Sequence, residues 1–457
     1  MQLIFPGASI PSPRRRVPVR WPGAICVLTA AVLTSGLSGW TVAQTTISSQ
    51  PLSLEAALKM AEEQSYALVA QDAAATSARE MAVAAGQLPD PTLRLSVESL
   101  PINGPMQYSL TDDFMTMRSI GLIQTFTRED KRSARAARFG READLAQAGR
   151  AMQLAELKRN TAIAWFDRYY QQQMVELLTR QRDEASLQIE AAEAAYRADR
   201  GTQADVFVAS SAVARIEDRI RETLARMENA TTVLARWVGE SAFSPLGGAP
   251  RISTTRLEVH PLEHRIDQHP DIALLTSKEA VARAEAEVAR QEKSVDWSVE
   301  LMYSQRGPAY SDMVSLSVSV PLQWNQKNRQ DRELFAKLAK AEQTRAEREE
   351  MMRERVAQTQ RWLSTWRSNL GRLSDYDRTL IPLAARRTRA ALTAYRGGKG
   401  PLSAVLEARR MEIDTRIERL RIEMETAGLW AELEYLIPEE SVERGAANMT
   451  NLLEKQG

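Results

Sequence analysis

Residues 313–324 are MVSLSVSVPLQW. Val314, Leu316, Val318 and Val320 alternate with Ser315, Ser317 and Ser319. A period of two puts the aliphatic side chains on one face of an extended strand and the serines on the other. Three further stretches repeat the pattern. In TLRLSVESL (92–100), Leu93, Leu95 and Val97 oppose Thr92, Arg94, Ser96 and Glu98. Between Arg118 and Phe126, Ile120, Leu122 and Phe126 share one parity. At 296–304, Trp297, Val299, Leu301 and Tyr303 oppose Ser298, Glu300 and Met302. The loops joining each pair, PINGPMQYSLTDD and QRGPAYSD, carry Pro, Gly and Asp, the residues of turns.

Everything around these four strands has helical character. The spacing predicts helices over 54–88, 128–196, 203–238, 258–294, 327–395 and 402–436, with breaks at Pro89 and Pro91, at Gly201, at His269-Pro270 and at a glycine turn near 400. In the fifth, Leu334, Leu338, Met352, Val356, Leu363, Leu370, Leu373 and Leu380 form a coiled-coil seam between charged faces. Pro382 is expected to kink or end that helix. A helix of about 69 residues is ~100 Å long, so it needs neighbours along its whole length.

The order of elements occurs twice. AYRADRGTQADVFVA (195–209) overlays AYRGGKGPLSAVLEA (394–408): Tyr196 on Tyr395, Gly201 on Gly400, Val206 on Val405 and Ala209 on Ala408, always 199 residues apart. With helix, strand hairpin, long helix and helix around both copies, this is an internal duplication. The resulting division is 1–43, 44–240 (first repeat), 241–257 (a Pro/Gly-rich linker), 258–438 (second repeat) and 439–457 (a tail).

Composition narrows the function. The 457 residues carry 60 Lys+Arg and 59 Asp+Glu, a net charge of +1, so no basic excess points to nucleic acid. Mean hydropathy is −0.37, which excludes a bundle of membrane helices. At the N-terminus, Arg14, Arg15 and Arg16 precede an apolar run, and Thr41-Val42-Ala43 has the form of a signal-peptidase site. Residues 1–43 are therefore expected to be a cleaved export signal, the alternative being a membrane anchor. Cys26 is the only cysteine, so the mature chain would have no disulfide or thiolate chemistry. Phosphate-binding loops and catalytic triads leave no trace, so no enzyme, cofactor or metal site is expected. His260, Glu263, His264 and His269 are metal-ligating types, read here as surface polar groups at a helix start. Met106, Met115 and Met117 lie in or beside a loop and carry little weight as a soft-metal site, and Trp362 and Trp366 are read as packing residues.

A strand of about nine residues crosses a bilayer core when tilted in a barrel. Four strands cannot close a pore, and open edges in lipid leave backbone groups unpaired. Three chains would supply twelve, an even number suited to a barrel. Leu93, Leu95, Val97, Trp297, Val299, Leu301, Val314, Leu316, Val318 and Val320 are then the lipid-facing set, and the serines line water. Two hairpins packed on the helices of a soluble periplasmic coiled-coil adaptor or scaffold are the alternative.

Over residues 50–438 the chain resembles the outer-membrane factor family, the TolC-like channels of tripartite efflux systems. The resemblance rests on the order of elements and on the doubled tip motif: Tyr196, Gly201, Asp205-Val206 and Ala209, then Tyr395, Gly398, Gly400, Val405-Leu406 and Ala408. It implies a mainly α chain with a membrane β-barrel: a trimer whose twelve-stranded barrel continues into a long antiparallel coiled-coil tunnel in the periplasm. It also implies a periplasmic adaptor and an inner-membrane pump as partners, and places Tyr196, Gly201, Asp205, Val206, Tyr395, Gly398, Gly400, Val405 and Glu407 at the gate and adaptor contact. LPDPTLRLSVESLPINGP and SLTDDFMTMRSIGLIQTF are similar to members serving resistance–nodulation–division pumps for copper/silver or cobalt–zinc–cadmium. Departures stand at Asp199, in place of a tip glycine, and at Ala404, in place of an aspartate, with Glu407 nearby. Gly400 stands where some members have an arginine, and the family's lipid-bearing cysteine is missing. Gly201 and Gly400 are expected to supply left-handed turns. Asp205 and Glu407 are expected either to ring the constriction or to complement helix N-termini.

Overall fold

The computed structural model describes residues 51–256 and 269–436. The signal segment 1–43, the tail 439–457, and His260, Glu263 and His264 lie outside the described residues, leaving His269 as the one member of that group within them.

The first repeat runs α1 (Leu54–Glu63), α2 (Tyr66–Ala85), β1 (Thr92–Glu98), β2 (Met117–Phe126), α3 (Glu129–Arg197) and α4 (Gln203–Val238). The second runs α5 (Pro270–Gln291), β3 (Trp297–Gln305), β4 (Met313–Ser319), α6 (Gln330–Asp375), α7 (Ile381–Arg396) and α8 (Leu402–Glu434). One expected helix is two: the Ser65 hydroxyl accepts the Leu68 N–H at 3.4 Å and starts a second helix where the pattern had suggested continuity. The strands hold 7, 10, 9 and 7 residues, so β4 stops short of Val320 and Pro321.

The expected kink at Pro382 is a single π turn, Tyr376–Leu380, between α6 and α7. Proline has no N–H and its ring crowds the carbonyl four residues back. Widening the turn just before it, with the Ile381 N–H bonded to the Tyr376 carbonyl, lets the helix continue.

The main core gathers α1, α3, α4, α6 and α8 around Trp165, Phe166, Trp366 and Trp430. Trp165 and Trp366 are fully buried. Each indole N–H donates at 3.1 Å to a carbonyl of the extended segment near the start of its own repeat: Trp165 to Leu52, Trp366 to Ile252. A buried tryptophan needs such a partner, and the same solution appears once in each half. Trp362 packs beside this core, as read. The predicted leucine seam is split: Leu373 is buried, while Leu338 and Leu380 are exposed on the single chain. The face of α6 buried within the chain carries Ala341, Thr344, Thr359 and Asn369 instead. Small residues and threonines there let helices approach closely, and Thr344 and Thr359 return their hydroxyls to carbonyls four residues back. Cross-helix ion pairs hold the outer faces, among them Arg219–Asp414 (2.7 Å), Arg409–Glu184 (2.7 Å) and Lys337–Glu285 (2.8 Å).

Candidate functional site

The four strands make one antiparallel sheet in the order β1-β2-β3-β4. The register aligns side chains in rows: Val97, Arg118 and Gln305; Leu95, Ile120, Tyr303 and Val314; Leu93, Leu122, Leu301 and Leu316; Gln124, Val299 and Val318; Phe126 and Trp297. All these share one face. Leu95 is 71% exposed and Leu316 is 70% exposed, so no helix covers them. Val299 is half-buried between its neighbours. The opposite face carries Ser96, Ser119, Ser298, Ser304, Ser315, Ser317 and Ser319, with Arg94 bonded to Glu300 at 3.2 Å. Ser119 and Ser304 hydroxyls meet at 2.8 Å. The apolar rows from Tyr303 to Trp297 span seven residues of β3, six steps or ~20 Å along the strand at ~3.4 Å each. Their helix-side rim is aromatic: Phe126 and Trp297 stack with ring centroids 4.4 Å apart.

Two residues separate β2 from α3, so the sheet runs straight into the long helix. Asp296, just before β3, accepts the Arg128 N–H at 3.3 Å and the Lys131 ammonium at 3.1 Å. Lys131 is buried and reaches Glu292 at 3.3 Å. This ion cluster ties the two repeats together where sheet meets helices. At the far end of the sheet, the two loops interlock: a Cβ on Gly307 would lie 1.8 Å from the Thr111 carbonyl oxygen.

The other end of α3 is the tip. Both long helices end in the same hydrogen-bonded turn. Arg200 N–H donates to the Ala195 carbonyl (2.9 Å) and Asp199 N–H to Tyr196 (3.0 Å); Lys399 donates to Ala394 (2.8 Å) and Gly398 to Tyr395 (3.0 Å). These are Schellman turns, whose left-handed residue sits just past the cap. That residue is Asp199 (φ 56°) in one repeat and Gly398 (φ 68°) in the other. The expectation for Gly201 and Gly400 is corrected here: the chain leaves the helix two residues earlier, and neither glycine has positive φ. Gly201 is instead a close-approach position, since a Cβ there would lie 3.2 Å from that of Ala195.

The tips pack on each other. Ala192 and Ala209 from the first repeat and Leu402 and Val405 from the second form a small buried cluster, with Val206 and Tyr395 against it. Tyr196, the counterpart of Tyr395, is exposed. Asp205 closes a capping box: its carboxylate accepts the Thr202 N–H (2.9 Å) and hydroxyl (2.7 Å) while Thr202 accepts the Asp205 N–H (3.2 Å). The bonds from the Thr202 backbone and then its hydroxyl hold the Asp205 carboxyl below the usual carboxylate range. The second repeat has Pro401 and Ala404 at these places and no side-chain cap. Glu407 is exposed and lies 3.7 Å from Arg387. Phe207 and Val208, both exposed and apolar, went unnoticed in sequence, although they follow directly on the Asp205-Val206 motif. Arg197, Arg200, Arg396 and Lys399 also surround the turns, so the tip surface is not purely acidic.

No protein-family model matches the chain by sequence, and no curated protein does. Solved structures match its backbone. The outer membrane protein VceC of Vibrio cholerae superposes with a TM-score of 0.70 at 15% identity, covering 84% of this chain and 95% of its own. The chain has the outer-membrane channel fold. The Campylobacter jejuni CmeC outer membrane channel gives 0.70 at 11% identity over 84% and 85%. The Neisseria gonorrhoeae MtrE outer membrane channel, in its open state, gives 0.65 at 15% over 84% and 88%. Within this fold, the two-faced sheet and the tip lie at opposite ends of the long helix α3, and the soluble-adaptor alternative finds no support.

Proposed function

We propose that this chain is the outer-membrane channel of a tripartite efflux pump, an exporter that is not itself an enzyme. One observation carries the reading: the sheet has an apolar face that no helix covers and an opposite face rich in serine, and within the chain both its edges are open. An apolar face left open to water on this scale is a membrane or partner surface. Edge strands β1 and β4 run in opposite senses, so β4 of one copy pairs with β1 of the next, and three copies close twelve strands. The barrel sits in the outer membrane, and the helices extend into the periplasm as a tunnel.

The tip that carries Tyr196, Gly201, Asp205, Val206, Tyr395, Gly398, Gly400, Val405 and Glu407 forms the closed end and meets a periplasmic adaptor that links the channel to an inner-membrane pump of the resistance–nodulation–division class. The exposed Tyr196, Phe207 and Val208 support a docking role. We assign heavy-metal cations as cargo, on the similarity of residues 88–105 and 109–126 to channels serving metal pumps. Mass measurement in mild detergent should give three chains, and the assembly should conduct in a planar bilayer. A stable folded monomer, or a trimer without conductance, would reject the channel. Deletion of the gene should sensitise cells to copper, silver, cobalt, zinc or cadmium; sensitivity confined to organic drugs would reassign the cargo.

A further inference from the structure

Arg118 lies on the outward, apolar face of the sheet, between Val97 and Gln305 in its row. Across all the outward positions of the four strands it is the only charged side chain. It stands at the loop end, one row beyond Ile120 and Tyr303. The inward arginine of the same sheet, Arg94, has the Glu300 carboxylate at 3.2 Å. Arg118 has no such partner among the described residues. One guanidinium nitrogen donates to the neutral Gln305 side chain at 3.1 Å, and Nε has no acceptor. Beside it lies a shallow, open groove of about 370 Å³, lined by Leu95, Val97, Ile120 and Tyr303 together with Ser96 and Ser119, with Arg118 and Gln305 also along it.

A guanidinium on the lipid side of a barrel is costly at the midplane and nearly free at the interface. Arg118 sits at that interface, on the side away from the helices. Its uncompensated charge, planar fork of donors and adjoining groove fit a molecule that is anionic at one end and aliphatic at the other. We propose that Arg118 and this groove bind a phosphate-bearing lipid of the outer leaflet, the guanidinium taking the phosphate and the groove an acyl chain. The proposal rests on the barrel reading given above.

The test is native mass spectrometry of the full-length assembly in mild detergent. It would be titrated with a bis-phosphorylated acyl glycolipid, with the same glycolipid dephosphorylated, and with inorganic phosphate as competitor. The wild-type assembly should retain the phosphorylated lipid about tenfold more tightly than the dephosphorylated one. R118Q should bring that ratio close to one. R118K should keep part of it, because an ammonium supplies charge without the fork. A wild-type ratio of one overturns the proposal, as does a ratio unchanged in R118Q. Complete displacement by inorganic phosphate would show a free-anion site and would also overturn it. If R118Q does not assemble, the wild-type ratio and R118K still decide. Failure of the barrel reading is seen separately, as the absence of a trimer before any lipid is added.

Discussion

An arginine placed at Leu316 should abolish the channel, whereas one placed at Ser317 should not. Leu316 is in the row with Leu93, Leu122 and Leu301. That row is midway between Arg118 at one rim of the outward face and Phe126 at the other, four residues of β2 from each, or ~13 Å at ~3.4 Å per residue. Arginine at the midplane of a barrel's outer face costs about 2–4 kcal/mol. Three copies carry the same lesion, so the trimer loses about 6–12 kcal/mol, as much as the whole stability of an ordinary domain, ~5–15 kcal/mol. Ser317 points the other way, beside Glu300 in the register. An arginine there enters a hydrated lumen and gains a carboxylate neighbour. The assay is the yield of heat-modifiable trimer in outer membranes after a urea wash, compared across wild type, L316R and S317R. Equal yields for the two variants, or a loss in S317R alone, would refute the assignment of faces.

D205A removes the carboxylate half of the capping box, the bonds from the Thr202 N–H and hydroxyl, while the residue-205 N–H keeps the Thr202 hydroxyl; it should cost about 0.5–1.5 kcal/mol at the tip, seen as faster amide exchange over residues 202–206. The Asp205 carboxyl is held low, so its contribution is present above the ordinary carboxylate range and is lost as pH falls through its depressed folded value; the exchange difference between wild type and D205A should vanish in acid. His269 caps α5 by accepting the Asp271 N–H at 3.2 Å. Burial first, then Arg355 and Arg159, opposed by Asp271, lower its pKa to about 4. The unfolded chain therefore takes up a proton below pH ~6.5 that the folded chain refuses. Stability should fall as pH drops from 6.5 towards 4, and H269N, which keeps a capping acceptor without titrating, should flatten the urea midpoint across that window. W366F keeps an aromatic ring but loses the N–H bond to the Ile252 carbonyl and part of the buried indole volume, at a cost of about 1–3 kcal/mol, measurable as a lower denaturant midpoint.

Much of the architecture was legible in one dimension. The alternation in 313–320 specified a two-faced strand, and the proline-free runs specified long helices that end within a residue or so of 197, 203 and 238. The 199-residue offset at the tips predicted two equivalent turns, and the same hydrogen bonds form in both. The misses have local or long-range causes. Ser65 ends one helix and begins another through a single side-chain bond that competes with an otherwise continuous pattern. The left-handed positions fell at Asp199 and Gly398 because the helix cap, not the most obvious glycine, sets where a Schellman turn forms.

Periodicity and turn residues are properties of neighbours along the chain, and so the sequence alone determined most of the elements and their order. Which groups meet across a hundred or more residues is not written in any local pattern. Only the tertiary structure tied Trp165 to Leu52 and Trp366 to Ile252, seated Lys131 on Asp296, and packed one tip against the other. It also put Arg118 in the same outward register as Ile120 and Leu122 without a carboxylate, while Arg94 on the other face found Glu300. A strand's parity says which residues share a face. The pairing of strands distant in sequence decides what that face confronts, because those contacts form only when the sheet assembles.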